Sequence, residues 1–189
     1  IYTLNYTPMK KTLLSICLLL TAWTSLAQSG GTFEIKLPPG ADSGLLDGRL
    51  LLFLSTQEGA EPRFQISDEV DTQQFFGLDV ENAKSGQTIA FDTKAAGYPR
   101  KAWSEIAPGE YYVQALLHRY ETFKRSDGHT VKLPMDRGEG QNWRTAPGNL
   151  YSQPIKIRFD PKSKTVIKLA LDQVNPPLPD PATKQTKYI

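Results

Sequence analysis

The sequence predicts an all-β protein, an antiparallel, immunoglobulin-like β-sandwich of about seven strands, because three patterns agree. Several segments alternate apolar and polar residues with period two, as half-buried strands do. Pairs of turn-forming residues, among them Asp47-Gly48, separate these segments. No segment carries a sustained helical stripe of apolar residues, so the strand pattern dominates the chain.

Seven segments have the strand pattern, and they follow one another at the spacing expected for a sandwich. In chain order they are 33–37, 50–54, 75–80, 89–91, 110–120, 155–159 and 165–174. The first alternates Phe33, Ile35 and Leu37 with polar residues, which predicts one buried and one solvated face. The second, LLLFL, is apolar throughout and is therefore expected to be a central strand covered on both faces.

The fifth segment follows a Pro-Gly turn and is rich in tyrosine. In sandwich domains a tyrosine near such a corner can bind the backbone through its hydroxyl, and either Tyr111 or Tyr112 could do so here. An ordinary hairpin would have the same sequence pattern. Just before this turn, residues 95–106, which include Trp103, are predicted to form at most a short turn or helix packed over a sheet edge.

The amino-terminal residues have the pattern of a secretory signal peptide. Residues 9–27 comprise a start methionine, two lysines, an apolar run and small residues before a predicted cut after Ala27. Residues 1–8 precede this start and are interpreted as a non-native upstream extension. Because the apolar run is shorter than the roughly 20 residues of a membrane span, we expect an exported protein, periplasmic or secreted, with no membrane contact after cleavage.

Removal of the signal peptide changes the charge and the cysteine count. It takes away two of the 22 basic residues and no acidic one, so the remainder balance the 20 acidic residues. A neutral chain lacks the basic surface that nucleic acid requires, so no nucleic-acid partner is expected. The one cysteine leaves with the signal, which excludes a disulfide framework and thiol chemistry in the mature chain.

Residues 28–174 are predicted to form the β-sandwich domain and residues 175–189 a proline-rich linker. The stretch NPPLPDPA should be extended and semi-rigid, and domains often end at such linkers. The residues after it end on Tyr188-Ile189, an apolar pair typical of the start of a strand. We therefore expect this sequence to be a fragment, with a C-terminal domain to follow.

Several stretches of the chain resemble one protein family. They are DGRLLLFLST, QQFFGLDVE and above all the stretch from Gly97 to Ser152, which contains PGEYYVQALLHRYETFKRSDGHTVKLPMDRGEGQNW. These are similar to the amino-terminal domain of exported bacterial esterase-type proteins, in which an α/β-hydrolase-type catalytic domain follows. The resemblance, which runs from about Phe33 to Ile189, implies a non-catalytic accessory β-sandwich whose partner is the hydrolase domain of the same chain. It carries over no catalytic residue, because the family's nucleophile, acid and histidine would lie beyond Ile189.

Catalytic and metal-binding motifs are absent from the sequence, as expected for a non-catalytic fragment. The sequence has no Gly-x-Ser-x-Gly motif, no zinc spacing, no phosphate-binding glycine loop and no calcium-loop repeat. No cofactor and no metal are therefore expected. A triad of Ser126, Asp127 and His129 is disfavoured, because adjacent residues of one loop rarely reach triad geometry.

A long loop is predicted between Tyr120 and Tyr151, where only TVKL has a strand pattern, and loops of that length are usually functional or disordered. Its acidic residues and histidine could line a cation or sugar site, and its aromatic residues could stack on a sugar face or an acyl chain. The candidate ligand or interdomain contacts are His118, Asp127, His129, Asp136, Glu139, Trp143 and Tyr151. The alternative is a structural role for each of them, as turn cap, solvated strand edge or aromatic plug.

Three functions stay open at this point. The domain packs on or shapes the substrate cleft of a hydrolase domain, or it is a free-standing carbohydrate-binding module, or it is a structural spacer. The aromatic side chains discriminate between them, since the fold alone does not determine the function. A planar exposed row of Trp103, Trp143 and Tyr151 would favour sugar binding, whereas burial of all three would favour the accessory or spacer function.

Overall fold

The structure is a computed structural model that describes residues 28–40, 45–91 and 95–179. The predicted upstream extension, the predicted signal peptide and the end of the predicted linker, residues 180–189, lie outside the described residues. Over the described part the chain is almost entirely strands and turns, so the prediction of an all-β fold is confirmed. No helix in this part has the length and apolar character needed to cross a membrane.

The described residues form thirteen strands and two one-turn helices. The strands are β1 (Gln28–Gly30), β2 (Thr32–Lys36), β3 (Leu46–Ser55), β4 (Gln74–Ala83), β5 (Thr88–Phe91), β6 (Ala96–Tyr98), β7 (Gly109–Arg119), β8 (Glu121–Lys124), β9 (Thr130–Leu133), β10 (Leu150–Tyr151), β11 (Ile155–Phe159), β12 (Val166–Ala170) and β13 (Gln173–Val174). The two 3-10 helices are Pro62–Phe64 and Trp103–Glu105.

Most strands join one large sheet, the main sheet, in the order β1-β11-β7-β3-β4-β6, with β10 paired to β7 and β13 paired to β10. A second sheet has the order β12-β2-β5, and β8 and β9 form a separate hairpin. Pairing is antiparallel except between β1 and β11 and between β12 and β2, which are parallel. The main sheet and the second sheet face each other across a shared apolar core, which makes the molecule a β-sandwich.

Alternate residues of both sheets fill this core. Phe33 and Ile35 of β2 and Leu50 and Leu52 of β3 are each at most 1% exposed. Full burial of one such side chain contributes about 1.5–3 kcal/mol, so the core needs no covalent cross-link to be stable. The period-two pattern of the first predicted strand therefore has the expected cause, since its apolar side chains face the opposite sheet.

Trp103 closes one end of the core from the second 3-10 helix. Its ring lies 4.2 Å from that of Phe76 and meets Phe33 edge-on at 5.4 Å, measured between centroids. The indole N–H donates a hydrogen bond to the carbonyl of Gly31 at 2.7 Å, which satisfies the polar end of a partly buried ring. The short helix predicted for this stretch is confirmed, and the preceding residues add the edge strand β6.

Tyr111 provides the predicted tyrosine corner. Its hydroxyl donates to the carbonyl of Ala107 at 2.9 Å, and its ring packs edge-on against Phe159 with centroids 6.1 Å apart. Tyr112, the other candidate, is the neighbouring residue on β7, and its side chain therefore points to the opposite face of the sheet.

Six of the predicted strands correspond to β2, β3, β4, β5, β7 and β11, and the seventh, 165–174, is divided into β12 and the short β13. The short strands β1, β6, β8 and β10 were not predicted. Lettered A to G in chain order, the seven form the sheets C-B-E-F and D-A-G. An immunoglobulin constant-type domain has the sheets A-B-E-D and C-F-G. The sandwich is thus confirmed, but the immunoglobulin strand order is not seen. Strands A and D lie in the sheet opposite to strands B and E, whereas an immunoglobulin domain has all four in one sheet.

Two local predictions need correction. The stretch between Tyr120 and Tyr151 contains the β8–β9 hairpin and the first residue of β10, so the long loop is limited to residues 134–149, while TVKL, the one strand pattern noted there, does form β9. Asp47 and Gly48 do not form a turn but belong to β3, at a register shift against β4. Gly48 is needed there for a close approach of β7, since a Cβ atom at this position would lie 2.1 Å from the carbonyl oxygen of His118.

Candidate functional site

The face of the main sheet that points away from the core, termed the outer face, is covered as well. Leu51, Phe53 and Leu116 lie on it and are each at most 8% exposed. Four partly buried side chains pack against them: Phe75 and Tyr151 from neighbouring strands of the same sheet, and Ile66 and Trp143 from the loops that cover the sheet. Trp143 stacks on Phe53 with ring centroids 5.4 Å apart and planes 10° from parallel. The prediction that the LLLFL strand is covered on both faces is confirmed.

A buried arginine holds this cover in place. Arg63, in the first 3-10 helix, is only 5% exposed. Its Nη1 donates to Oδ1 of Asn175 at 2.9 Å, and its guanidinium carbon lies 3.8 Å from the centre of the Tyr151 ring. Its Nε lies 2.9 Å from Oε2 of Glu61, an ion pair whose N–H is not aligned for a hydrogen bond. A buried charge is tolerated only with partners of this kind, so the position of Arg63 is fixed.

Gln114 joins Arg63 to the sheet itself. It is fully buried on β7, and its Oε1 accepts the backbone N–H of Arg63 at 3.1 Å. Its Nε2 donates to Oε2 of Glu61 at 2.6 Å and to the carbonyl of Ser152 at 3.0 Å. Every polar atom of this amide is therefore satisfied, as a buried amide requires.

Two asparagines fix the loop that precedes β10. The amide of Asn175 donates to the carbonyls of Arg144 and Ala146, each at 3.1 Å. The amide of Asn149 donates to the carbonyl of Trp143 at 2.8 Å. Asn175 was predicted to begin the linker, but it is 5% exposed and belongs to the folded domain. The loop is consequently a rigid wall, and it separates two clefts.

The larger cleft has a volume of about 810 Å3. Its walls are the end of β7 with the start of β8, the loop after β9, the loop before β10, and the proline segment 177–179. Met135 and Leu178, which are 37% and 42% exposed, face it from two of these walls. The ion pair of Glu121 with Arg137 closes another side. The cleft thus combines exposed apolar surface with charged groups that are already paired.

The smaller cleft has a volume of about 470 Å3 and lies on the outer face beside the Trp143 wall. The strands β3, β4, β6 and β7 and two loops, residues 66–68 and 143–144, line it. The lining residues are Arg49, Leu51, Ile66, Ser67, Asp68, Phe75, Tyr98, His118, Trp143 and Arg144. Both clefts fall in the size range of ligand pockets, about 300–1,000 Å3.

His118 lines both clefts from β7. Burial lowers the pKa of its imidazole below the ordinary value, an effect that the nearby Glu139 carboxylate partly opposes. The imidazole is therefore neutral at pH 7. Its Nε2 is shielded from solvent, as is Oε1 of Glu139, and neither atom has a hydrogen-bond partner among the described residues. Shielded polar atoms without partners are uncommon in folded proteins, and a functional role is one explanation for them.

The other predicted site residues divide into two groups. Trp143 and Tyr151 pack on the outer face, Trp143 lines the smaller cleft together with His118, and the Glu139 carboxylate lies near His118. Asp127 and His129 lie instead in the exposed turn of the β8–β9 hairpin, where Oδ1 of Asp127 accepts the backbone N–H of His129 at 3.1 Å. The structure therefore does not bring the predicted set together in one place.

Asp136 also has a local role, because its Oδ1 accepts the backbone N–H groups of Gly138 at 2.8 Å and Gly140 at 3.3 Å. Such contacts stabilise a turn. Within residues 28–40, 45–91 and 95–179, no three acidic, histidine or cysteine side chains are grouped so that they could hold a metal ion.

The residues that organise the site were not predicted from the sequence. Arg63 has no sequence signal, since a buried and an exposed arginine look alike. Gln114 has a weak one, because it is the one polar residue in the run VQALL and so indicates that both faces of β7 are covered.

Comparisons of this chain with protein-family models, with curated proteins and with solved structures find no match.

Proposed function

We propose that this chain is a non-catalytic accessory domain of an exported, esterase-like hydrolase. The surface around its larger cleft contacts the catalytic domain of the same polypeptide, and this contact shapes the entrance to the substrate cleft of the catalytic domain. The observation that carries the proposal is the position of the proline segment 177–179, which forms one wall of the larger cleft. A domain attached through this linker is delivered beside the cleft.

The surface of the larger cleft has the character of a docking surface between domains. Met135 and Leu178 present apolar atoms to solvent at its walls, and exposed apolar groups that surround a cleft commonly mark an interaction site. Interdomain interfaces are also more polar than a core, which agrees with the Glu121–Arg137 pair at the same cleft. Ligand sites often lie between domains, so a domain docked here would border a substrate.

The aromatic side chains do not support a flat carbohydrate-binding surface. Trp103 packs in the core between the sheets, whereas Trp143 and Tyr151 pack on the outer face of the main sheet. All three are partly buried, and they form no row. A structural spacer would leave both clefts and the exposed apolar side chains of the larger one without a role.

The proposal is tested with the complete product of the coding region, assayed on a bulky acyl ester. We expect Leu178→Glu to lower kcat/KM by about tenfold, equal to about 1.4 kcal/mol, because it places a charge in the domain contact. Val70→Glu is the matched control, since Val70 is 95% exposed and lines neither cleft. Equal kcat/KM values for both variants and the unmodified protein would refute docking through the larger cleft.

A further inference from the structure

The smaller cleft offers one accessible aromatic face. Tyr98, on the edge strand β6, is 48% exposed and leans on Phe75 with ring centroids 6.1 Å apart and planes 52° apart. Trp143, by contrast, has Phe53 stacked against it and the guanidinium carbon of Arg144 4.4 Å from the centre of its ring. Trp143 therefore acts as a wall, and Tyr98 is the ring on which a ligand can stack.

Two arginines bring hydrogen-bond donors to this cleft in fixed positions. The side chain of Arg49 lies across Gly77, and a Cβ atom added to Gly77 would come within 2.7 Å of the Nε of Arg49. The Nη1 of Arg49 contacts Oδ1 of Asp79 at 2.6 Å. Arg144 donates from Nη2 to the carbonyl of Ile66 at 2.6 Å. The remaining N–H groups of both guanidiniums have no partner among the described residues, so they are oriented and available.

Acceptors stand beside these donors, and the charges nearly balance. Asp68 lines the cleft together with both arginines, while Asp79 pairs with Arg49 just outside it. His118 is also one of the residues that line the cleft, although its Nε2 is shielded from solvent. A ligand with several hydroxyl groups, each of which both donates and accepts, matches such a mixed set better than an anion does.

We propose that the smaller cleft binds a single uncharged sugar ring. The apolar C–H face of a pyranose stacks on Tyr98, and its hydroxyl groups bond to Arg49, Arg144 and Asp68. Aromatic faces with a few placed polar groups are the usual lining of a small-molecule site, and the volume of about 470 Å3 accommodates one or two rings. This site is separate from the larger cleft, so the inference does not depend on docking of a second domain.

The test is a binding titration of the purified protein followed by ligand-observed NMR. The probes are D-glucose, D-galactose, D-xylose and N-acetyl-D-glucosamine, with D-glucuronate as the charged counterpart. We expect millimolar binding of at least one neutral sugar and weaker binding of glucuronate. Binding of none of the four neutral sugars, or tighter binding of glucuronate, would overturn the inference.

Variants then place the binding in the smaller cleft. Tyr98→Ala should weaken the best sugar by about tenfold through loss of the stacking face, whereas Tyr98→Phe should keep the affinity. Asp68→Asn should weaken binding without any change to the aromatic contact, which keeps the test valid if Tyr98→Ala disturbs the edge strand. Val70→Ala, outside the cleft, is the control. Wild-type affinity in both Tyr98→Ala and Asp68→Asn would contradict the proposed site.

Discussion

Asn175→Ala is the substitution that tests most directly how the cover of the outer face is held. The side chain of Asn175 accepts one hydrogen bond from the guanidinium of Arg63 at 2.9 Å and donates two to the carbonyls of Arg144 and Ala146 at 3.1 Å. Removal of the amide leaves all three partners without this contact. Because Arg63 is buried, water does not readily replace what it loses.

The magnitude follows from these three contacts. The bond from the charged guanidinium is worth about 1.5–3 kcal/mol and each neutral bond about 0.5–1.5 kcal/mol, so we expect a loss of about 4 kcal/mol in the free energy of unfolding. With a slope near 2 kcal/mol per molar urea, the unfolding midpoint should fall by about 2 M. Loss of this size is a large part of the typical stability of a domain, about 5–15 kcal/mol.

The assay is equilibrium urea unfolding followed by circular dichroism and tryptophan fluorescence. Gln173→Ala is the control, because Gln173 lies two residues away on β13 and, among the described residues, its side chain bonds only to exposed Asp172, at 3.3 Å. Its effect should stay within about 0.5 kcal/mol. If Asn175→Ala also lowers the free energy of unfolding by no more than about 0.5 kcal/mol, the network does not hold the cover and the rigidity of the cleft wall is refuted.

Three further predictions concern the corner and the pH dependence. Tyr111→Phe should lower the free energy of unfolding by about 0.5–1.5 kcal/mol through loss of the bond to the backbone, and Tyr112→Phe should lower it less; the same urea titration checks both. Burial lowers the pKa of His118, so the unfolded chain binds more protons and stability falls as the pH drops below about 6.5. Between pH 7.5 and 5, the melting temperature of His118→Gln should decline less than that of the unmodified protein, and an equal decline would contradict this. For Asp47, burial raises the pKa, but the contacts with Lys132 and a backbone N–H outweigh it, so the net pKa is lowered. The stabilising contribution of the Asp47 carboxylate is therefore present above about pH 4 and is lost in acid. Asp47→Asn should flatten the decline of the free energy of unfolding below that pH, and an unchanged slope would refute the assignment.

The sandwich strands were predictable because each has a simple cause in the sequence. Period-two alternation in β2 and β11 reflects one buried face, and the apolar run in β3 reflects two. The short strands were not predictable, because β1 and β10 consist of two or three residues whose pairing depends on distant partners. Strand order was also beyond sequence patterns, since alternation shows that a face is buried but not which sheet covers it.

The clefts were harder to predict than the strands. The sequence indicated His118 and the stretch after Tyr120 as candidate contacts, and His118 and Trp143 do line the clefts, with Glu139 near His118. The arginines at 49, 63 and 144 were not anticipated, because their roles arise from segments far apart in the chain. Asp127 and Asp136 were chosen for their charge, yet local hydrogen bonds to the backbone occupy an oxygen of each carboxylate.

The proposed accessory role is tested most directly by one comparison of ester hydrolysis. The complete product of the coding region and residues 28–189 alone are assayed at equal concentration on nitrophenyl acetate. We expect turnover by the complete product and none by residues 28–189. Turnover by residues 28–189 alone, or a coding region with no hydrolase domain after residue 189, would contradict the account.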